Sequence, residues 1–112
     1  MLVSCAIPSK QSNRFQVSNP KSTPATGPVA ELHRNAIVSL ATENSELAIE
    51  YLQRAIKIEP RNALSWHYLA QSYWQERNFD KCLAMIERSS SYNWPADDLA
   101  RANLTLKQQC LH

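Results

Sequence analysis

Apolar and polar positions alternate with a helical period along most of the chain, and most clearly over Asn62 to Ile86, NALSWHYLAQSYWQERNFDKCLAMI. Trp66, Leu69, Ala70 and Tyr73 recur at the spacing of one apolar helix face. A polar break over Gln75 to Asn78 follows, and Phe79, Cys82, Leu83 and Ile86 then set up a second face of the same kind. The pattern predicts a helix capped by Asn62 and reaching about Glu76, then another over Phe79 to Tyr92. Upstream, Pro28 suits the first turn of a helix, where its missing N–H does no harm. Leu32, Ala36, Ile37 and Leu40 carry that helix to about Ala41. After a turn over Thr42 to Ser45, with Asn44 or Ser45 as N-cap, a second helix is expected over Glu46 to Ile58. It would bury Leu47, Ala48, Tyr51 or Leu52, Ala55 and Ile58, and Pro60 would stop it. Pro95 is expected to open a fifth helix, with Asp97 and Asp98 in the first turn, where the helix dipole favours acids. Leu99, Ala102, Leu104 and Leu106 continue it to about Cys110. The fold class is all-α.

The run W-x2-L-[small]-x2-Y, a turn, and then an aromatic and a small residue opening a second helix resembles the tetratricopeptide repeat, a 34-residue helix–turn–helix unit. Ala48, Leu52, Ala55 and Pro60 fit the second helix of a preceding unit, A-x3-[large]-x2-A-x4-P. The resemblance implies a short helical solenoid over residues 28–112, with about two repeats and a C-terminal capping helix. Such units cannot bury their apolar faces alone, so the terminal ones need a cap. The chain departs from the family at several positions. Leu32 stands for the Trp of the first repeat, and Asn35 and Ser39 replace its Leu and Tyr. Arg77 occupies a turn position where glycine is usual, with Asn78 as the alternative residue for a left-handed conformation. Cys82 and Ser89 replace alanines, and Trp94-Pro95 puts the proline one residue late.

The resemblance also implies binding of another protein or peptide on the concave surface lined by the first helix of each pair. Leu64, His67, Gln71, Trp74 and Gln75 share one helical stripe beside the packed face. Trp74 has no clear packing duty there and is the expected anchor, since an exposed Trp is a common interface hot spot. The alternative is that it covers a joint with a neighbouring helix. His33, Arg34 and Ile37 would extend the groove. The Lys/Arg/Asn clamp that some relatives use on peptide carboxylates has no counterpart at matching positions.

With 112 residues there is room for one small domain. A formal net charge of +2, with the basic residues scattered, implies no nucleic-acid field. No stretch approaches a membrane span. Leu2-Val3-Ser4-Cys5 resembles a bacterial lipobox, although the basic and apolar regions of a signal peptide are missing before it. Residues 6–27 are rich in Ser, Pro, Thr, Gln and Asn, a composition that cannot form a packed core and reads as a flexible tether. A lipid on Cys5, a tether and a folded module would make an anchored lipoprotein. Ala6 after the cysteine would suit the periplasmic face of the outer membrane. The alternative is a cytosolic chaperone or regulator that starts at Met1.

Laying the fourth and fifth helices antiparallel brings Cys82 near Cys110. A disulfide there would close a loop of about 29 residues, worth roughly 3–4 kcal/mol, and would need an oxidising compartment. Otherwise Cys82 simply replaces a small buried alanine and Cys110 is a free thiol. His33, His67 and His112 are isolated and the cysteines lack paired spacing, so no metal or other cofactor is expected. No nucleophile–base pair or phosphate loop stands out. The expectation is a non-catalytic interaction module without a small-molecule substrate, an adaptor in envelope, pilus or secretion assembly.

Overall fold

A computed structural model describes residues 27–92 and 97–112, and every described element is an α-helix. The elements are α1 (Gly27–Ala41), α2 (Ser45–Ile58), α3 (Ala63–Gln75), α4 (Phe79–Ser91) and α5 (Asp97–Cys110). α1 opens at Gly27, whose φ of 46° suits a residue without a Cβ. Trp94, Pro95, the lipobox-like residues and nearly all of the tether lie outside the described residues.

α1 packs on α2, α2 on α3, α3 on α4 and α4 on α5, as helix–turn–helix pairs stacked in chain order. The local chemistry of the first pair returns in the second, 34 positions on. Asn44 caps α2 by accepting from the Leu47 N–H, and Asn78 caps α4 by accepting from the Lys81 N–H. Each accepts at position N3, satisfying a donor that has no partner within the helix. Each turn also holds one residue in the left-handed region, Glu43 at φ 59° and Arg77 at φ 62°. Asn78 is therefore not the left-handed residue; its side chain is committed to the cap, and Arg77 takes the strained position. The Asn44 N–H donates to the Ser39 carbonyl and the Asn78 N–H to that of Tyr73, closing both turns alike.

The same period runs through the core. Ala36, Ala48, Leu52 and Ala55 are fully buried, and Ala70, Cys82, Ile86 and Ser89 are buried at the equivalent places. Small residues at these positions let paired helices approach closely, and burying a Leu or Ile side chain between them contributes about 1.5–3 kcal/mol. Trp66, expected in the packed face, is half-buried; its indole N–H donates to the Pro60 carbonyl at 2.8 Å, and the Arg88 guanidinium stacks on its ring. Tyr73 and Leu32 are half-buried too. Ile58 was expected to be buried and is instead half exposed, at 50%, and Leu104 of α5 is 58% exposed. Ile58 falls on the last turn of α2, beside an open cleft that it shares with Pro28, Glu31 and Leu32 of α1, and Leu104 lies on the outward side of α5.

The ends of the stack differ chemically from its middle. Ser65, Leu69 and Ser72 of α3, and Leu99, Asn103 and Leu106 of α5, are buried against the preceding helix pair. The matching positions on α1 are Glu31, Asn35 and Val38, and here Glu31 and Val38 are exposed. Glu31 pairs with Arg34 in a solvated ion pair. At the other end, α5 presents Asp97, Arg101 and Lys107 where α3 has Ala63, His67 and Tyr73. Both ends carry charges that suit contact with water, as terminal units of a stacked array require.

Candidate functional site

The stacking of α1, α3 and α5 leaves an open groove of about 550 Å³ along one side. α1 contributes Ile37, Leu40 and Ala41, α3 contributes Leu64, His67, Tyr68 and Gln71, and α5 contributes Asp98, Leu99 and Ala102. These positions are groove-lining because they fall on the helix stripe next to, not within, the stripe each helix buries against its pair partner. The walls are largely apolar and the polar groups cluster on α3.

His67 forms the centre of the groove floor and is tied from below. Its Nδ1 lies 2.7 Å from Asn103 Oδ1. Asn103 Nδ2 donates to Ser89 Oγ at 2.9 Å, and Ser89 Oγ donates to the Ala63 carbonyl at 2.9 Å. This chain fixes the amide orientation, so the carboxamide oxygen faces His67 and the imidazole must carry its proton on Nδ1. Nε2 is then an acceptor, and Gln71 Nε2 approaches it at 3.2 Å. Burial pushes the His67 pKa down, opposed by the hydrogen bond to Asn103. The ring is held neutral at the base of the groove, and Gln71 keeps its carbonyl oxygen for a further donor.

The remaining residues of the expected binding stripe have other surroundings. His33 is buried in the joint between α1 and α3, with Nε2 2.7 Å from Ser65 Oγ and its ring edge-on to Tyr68. Burial pushes its pKa down to about 4, against the raising influence of the Glu59 carboxylate. Gln75 donates from Nε2 at 2.9 Å to the Leu40 carbonyl, which also accepts from the Glu43 N–H in the turn after α1. Arg34 lies on the exposed end face. Trp74 is 39% exposed and does not line the groove. Leu64, His67 and Gln71 are the members of that stripe that meet in the groove, together with Ile37. Tyr68, Leu99 and Ala102 were missed, because a Tyr between His67 and Leu69 reads as off-face until α1 and α5 close over both sides of α3. Burial raises the Tyr68 pKa to about 12, so the phenol stays protonated.

Cys82 and Cys110 are joined in a disulfide, with Cα atoms 6.4 Å apart. It clips the first turn of α4 to the last of α5 and so holds the α5 wall of the groove. Among the described residues, no cluster of His, Cys, Asp and Glu could hold a metal ion, and no helix is long and apolar enough to cross a membrane. No family model, curated protein or solved structure matches the chain.

Proposed function

We propose that the chain is a non-catalytic protein-interaction module, a short tetratricopeptide-like scaffold whose groove holds a segment of another protein. The observation that carries this is the groove itself: Ile37, Leu64, Leu99 and Ala102 present apolar surface around a buried His67 that is hydrogen-bonded to the half-buried Gln71. Apolar walls with a few fixed polar groups are the ordinary composition of a recognition site. The segment that fits has two or three apolar side chains for these walls and a backbone N–H for the Gln71 carbonyl oxygen. The Cys82–Cys110 disulfide supports an oxidising compartment. With the lipobox-like Cys5, it favours an adaptor held by a lipid at the periplasmic face of the outer membrane, serving envelope, pilus or secretion assembly.

Site-specific photo-crosslinking in cells tests the groove. A photoreactive residue at Ile37 or Ala102 is expected to trap the same partner band, and one at the exposed Gln53 of α2 to trap none. Equal bands from all three positions, or none from the groove, would sink the proposal. Labelling with a clickable palmitate, comparing the wild type with Cys5→Ala, tests the anchor independently; label that persists in the variant refutes it.

A further inference from the structure

The outer side of α4 and α5 carries a second open cleft, of about 570 Å³, which the groove does not use. On α4 it is lined by Asp80, Leu83, Ala84 and Glu87, and on the other side by Ala100, Leu104 and Lys107 of α5 and Leu111 just past its end. Each set recurs at helical spacing, so the cleft lies between two continuous stripes. Leu104 and Leu111 are 58% and 60% exposed, among the most exposed large apolar side chains of the described residues. The charges are segregated: both acids are on α4 and the base is on α5. Among the described residues, none of Asp80, Glu87 and Lys107 takes part in an ion pair.

The two ties between these helices set their register. Cys82 is bonded to Cys110, and Ser89 accepts from Asn103, so α4 and α5 run antiparallel. Lys107 falls between the ties, level with the turn from Ala84 to Glu87. Two such faces can meet about a twofold axis in either of two ways. An axis across the helices puts α4 over α4 and sets the acids of one copy against those of the other. An axis along the helices puts α5 of each copy over α4 of the other. Lys107 then lies over the Asp80 to Glu87 stripe of the second copy, twice; Leu111 comes level with Asp80 and Leu83, and Leu104 with Glu87 and Ser90. Like charges in apposition oppose the first arrangement and opposite charges favour the second.

We propose that this face is an isologous interface between two copies of the chain, with α5 of each lying on α4 of the other. It uses the side of α5 turned away from Leu99 and Ala102, so both grooves stay open in the pair. The proposal is independent of what the grooves bind. Two linked grooves would engage a repeated or dimeric partner with an avidity beyond either alone.

The test is sedimentation equilibrium of the oxidised 112-residue chain from about 10 μM to about 1 mM, the range suited to a modest interface. The mass is expected to rise from 12.7 kDa towards twice that value. Lys107→Glu and Glu87→Lys each alter an exposed side chain, and circular dichroism confirms that both variants fold. Each alone is expected to weaken pairing at least about tenfold. Mixed one to one they should recover near-native pairing, because one joint is native and the other has its charges exchanged. A chain that stays monomeric throughout overturns the proposal and leaves the cleft to another occupant, such as residues 1–26 or a different protein. A dimer indifferent to both substitutions, or a mixture that fails to recover, overturns it equally.

Discussion

His33 links the stability of the stack to pH with a calculable magnitude. Its imidazole is buried against Ser65 and Tyr68, and its pKa falls to about 4 from an ordinary 6.5. Above pH 6.5 the ring is neutral in both folded and unfolded chains and contributes no pH dependence. Below 6.5 the unfolded chain takes up a proton that the folded chain refuses, so stability is lost as pH falls, down to about pH 4. At about 1.4 kcal/mol per unit, the loss from His33 between pH 7.5 and pH 5 is about 2 kcal/mol. His67 acts in the same direction, since burial lowers its pKa as well. Urea unfolding of the wild type and His33→Gln at both pH values isolates the first contribution. The glutamine does not titrate and retains an amide within reach of Ser65. The drop in unfolding free energy between the two pH values should be about 2 kcal/mol smaller in the variant. An equal drop in both proteins would mean that the ring is solvated or already charged when folded, and the reasoning would fail.

Three further outcomes follow from the packing. Cys110→Ser, compared with the oxidised wild type by urea unfolding, is expected to cost about 3.5 kcal/mol, from the loop closed across a sequence separation of 28. Leu52→Ala removes a fully buried side chain between α1, α2 and α3 and should cost about 3 kcal/mol or more in the same assay. Arg77→Gly relieves a left-handed φ of 62° and should raise stability by about 0.5–1 kcal/mol, read as a higher Tm; a lower Tm would show that the arginine is held there by an interaction worth more than the strain.

The five helices were legible because their signals are local. The apolar period of Trp66, Leu69, Ala70 and Tyr73, the caps at Asn44 and Asn62, and the stop at Pro60 each act within a few residues; the cap at Asn78 was missed, because that residue was weighed only for the left-handed turn position. The buried polar network was not legible in the same way. Ser65, Ser72 and Asn103 read as surface residues until neighbouring helices cover them, Ser89 read only as a replacement for an alanine, and all four tolerate burial because each finds a partner. One signal did point to it. His33 and His67 stand one repeat period apart, and a histidine recurring at the period of the fold suggests a shared joint. For the groove, the stripe on α3 was readable from its spacing, whereas Leu99 and Ala102 depend on how α5 docks. Gln75 and Trp74 fall on the same stripe but outside the groove, Gln75 being turned to the Leu40 carbonyl.

The disulfide makes the stack mechanically lopsided. Its covalent clip joins α4 to α5, whereas α1 and α2 are held to the rest by packing and by side-chain hydrogen bonds such as those from His33 and Gln75. A pull transmitted through the chain before Gly27 enters at α1 and peels the helices away in chain order, so the clipped end yields last. Relaxation then has a folded template on which α3, α2 and α1 can wind back. Were the proposed lipid anchor on Cys5 to load the chain, the stack would act as a fuse that resets, giving way at the loaded end while the clipped end keeps its shape.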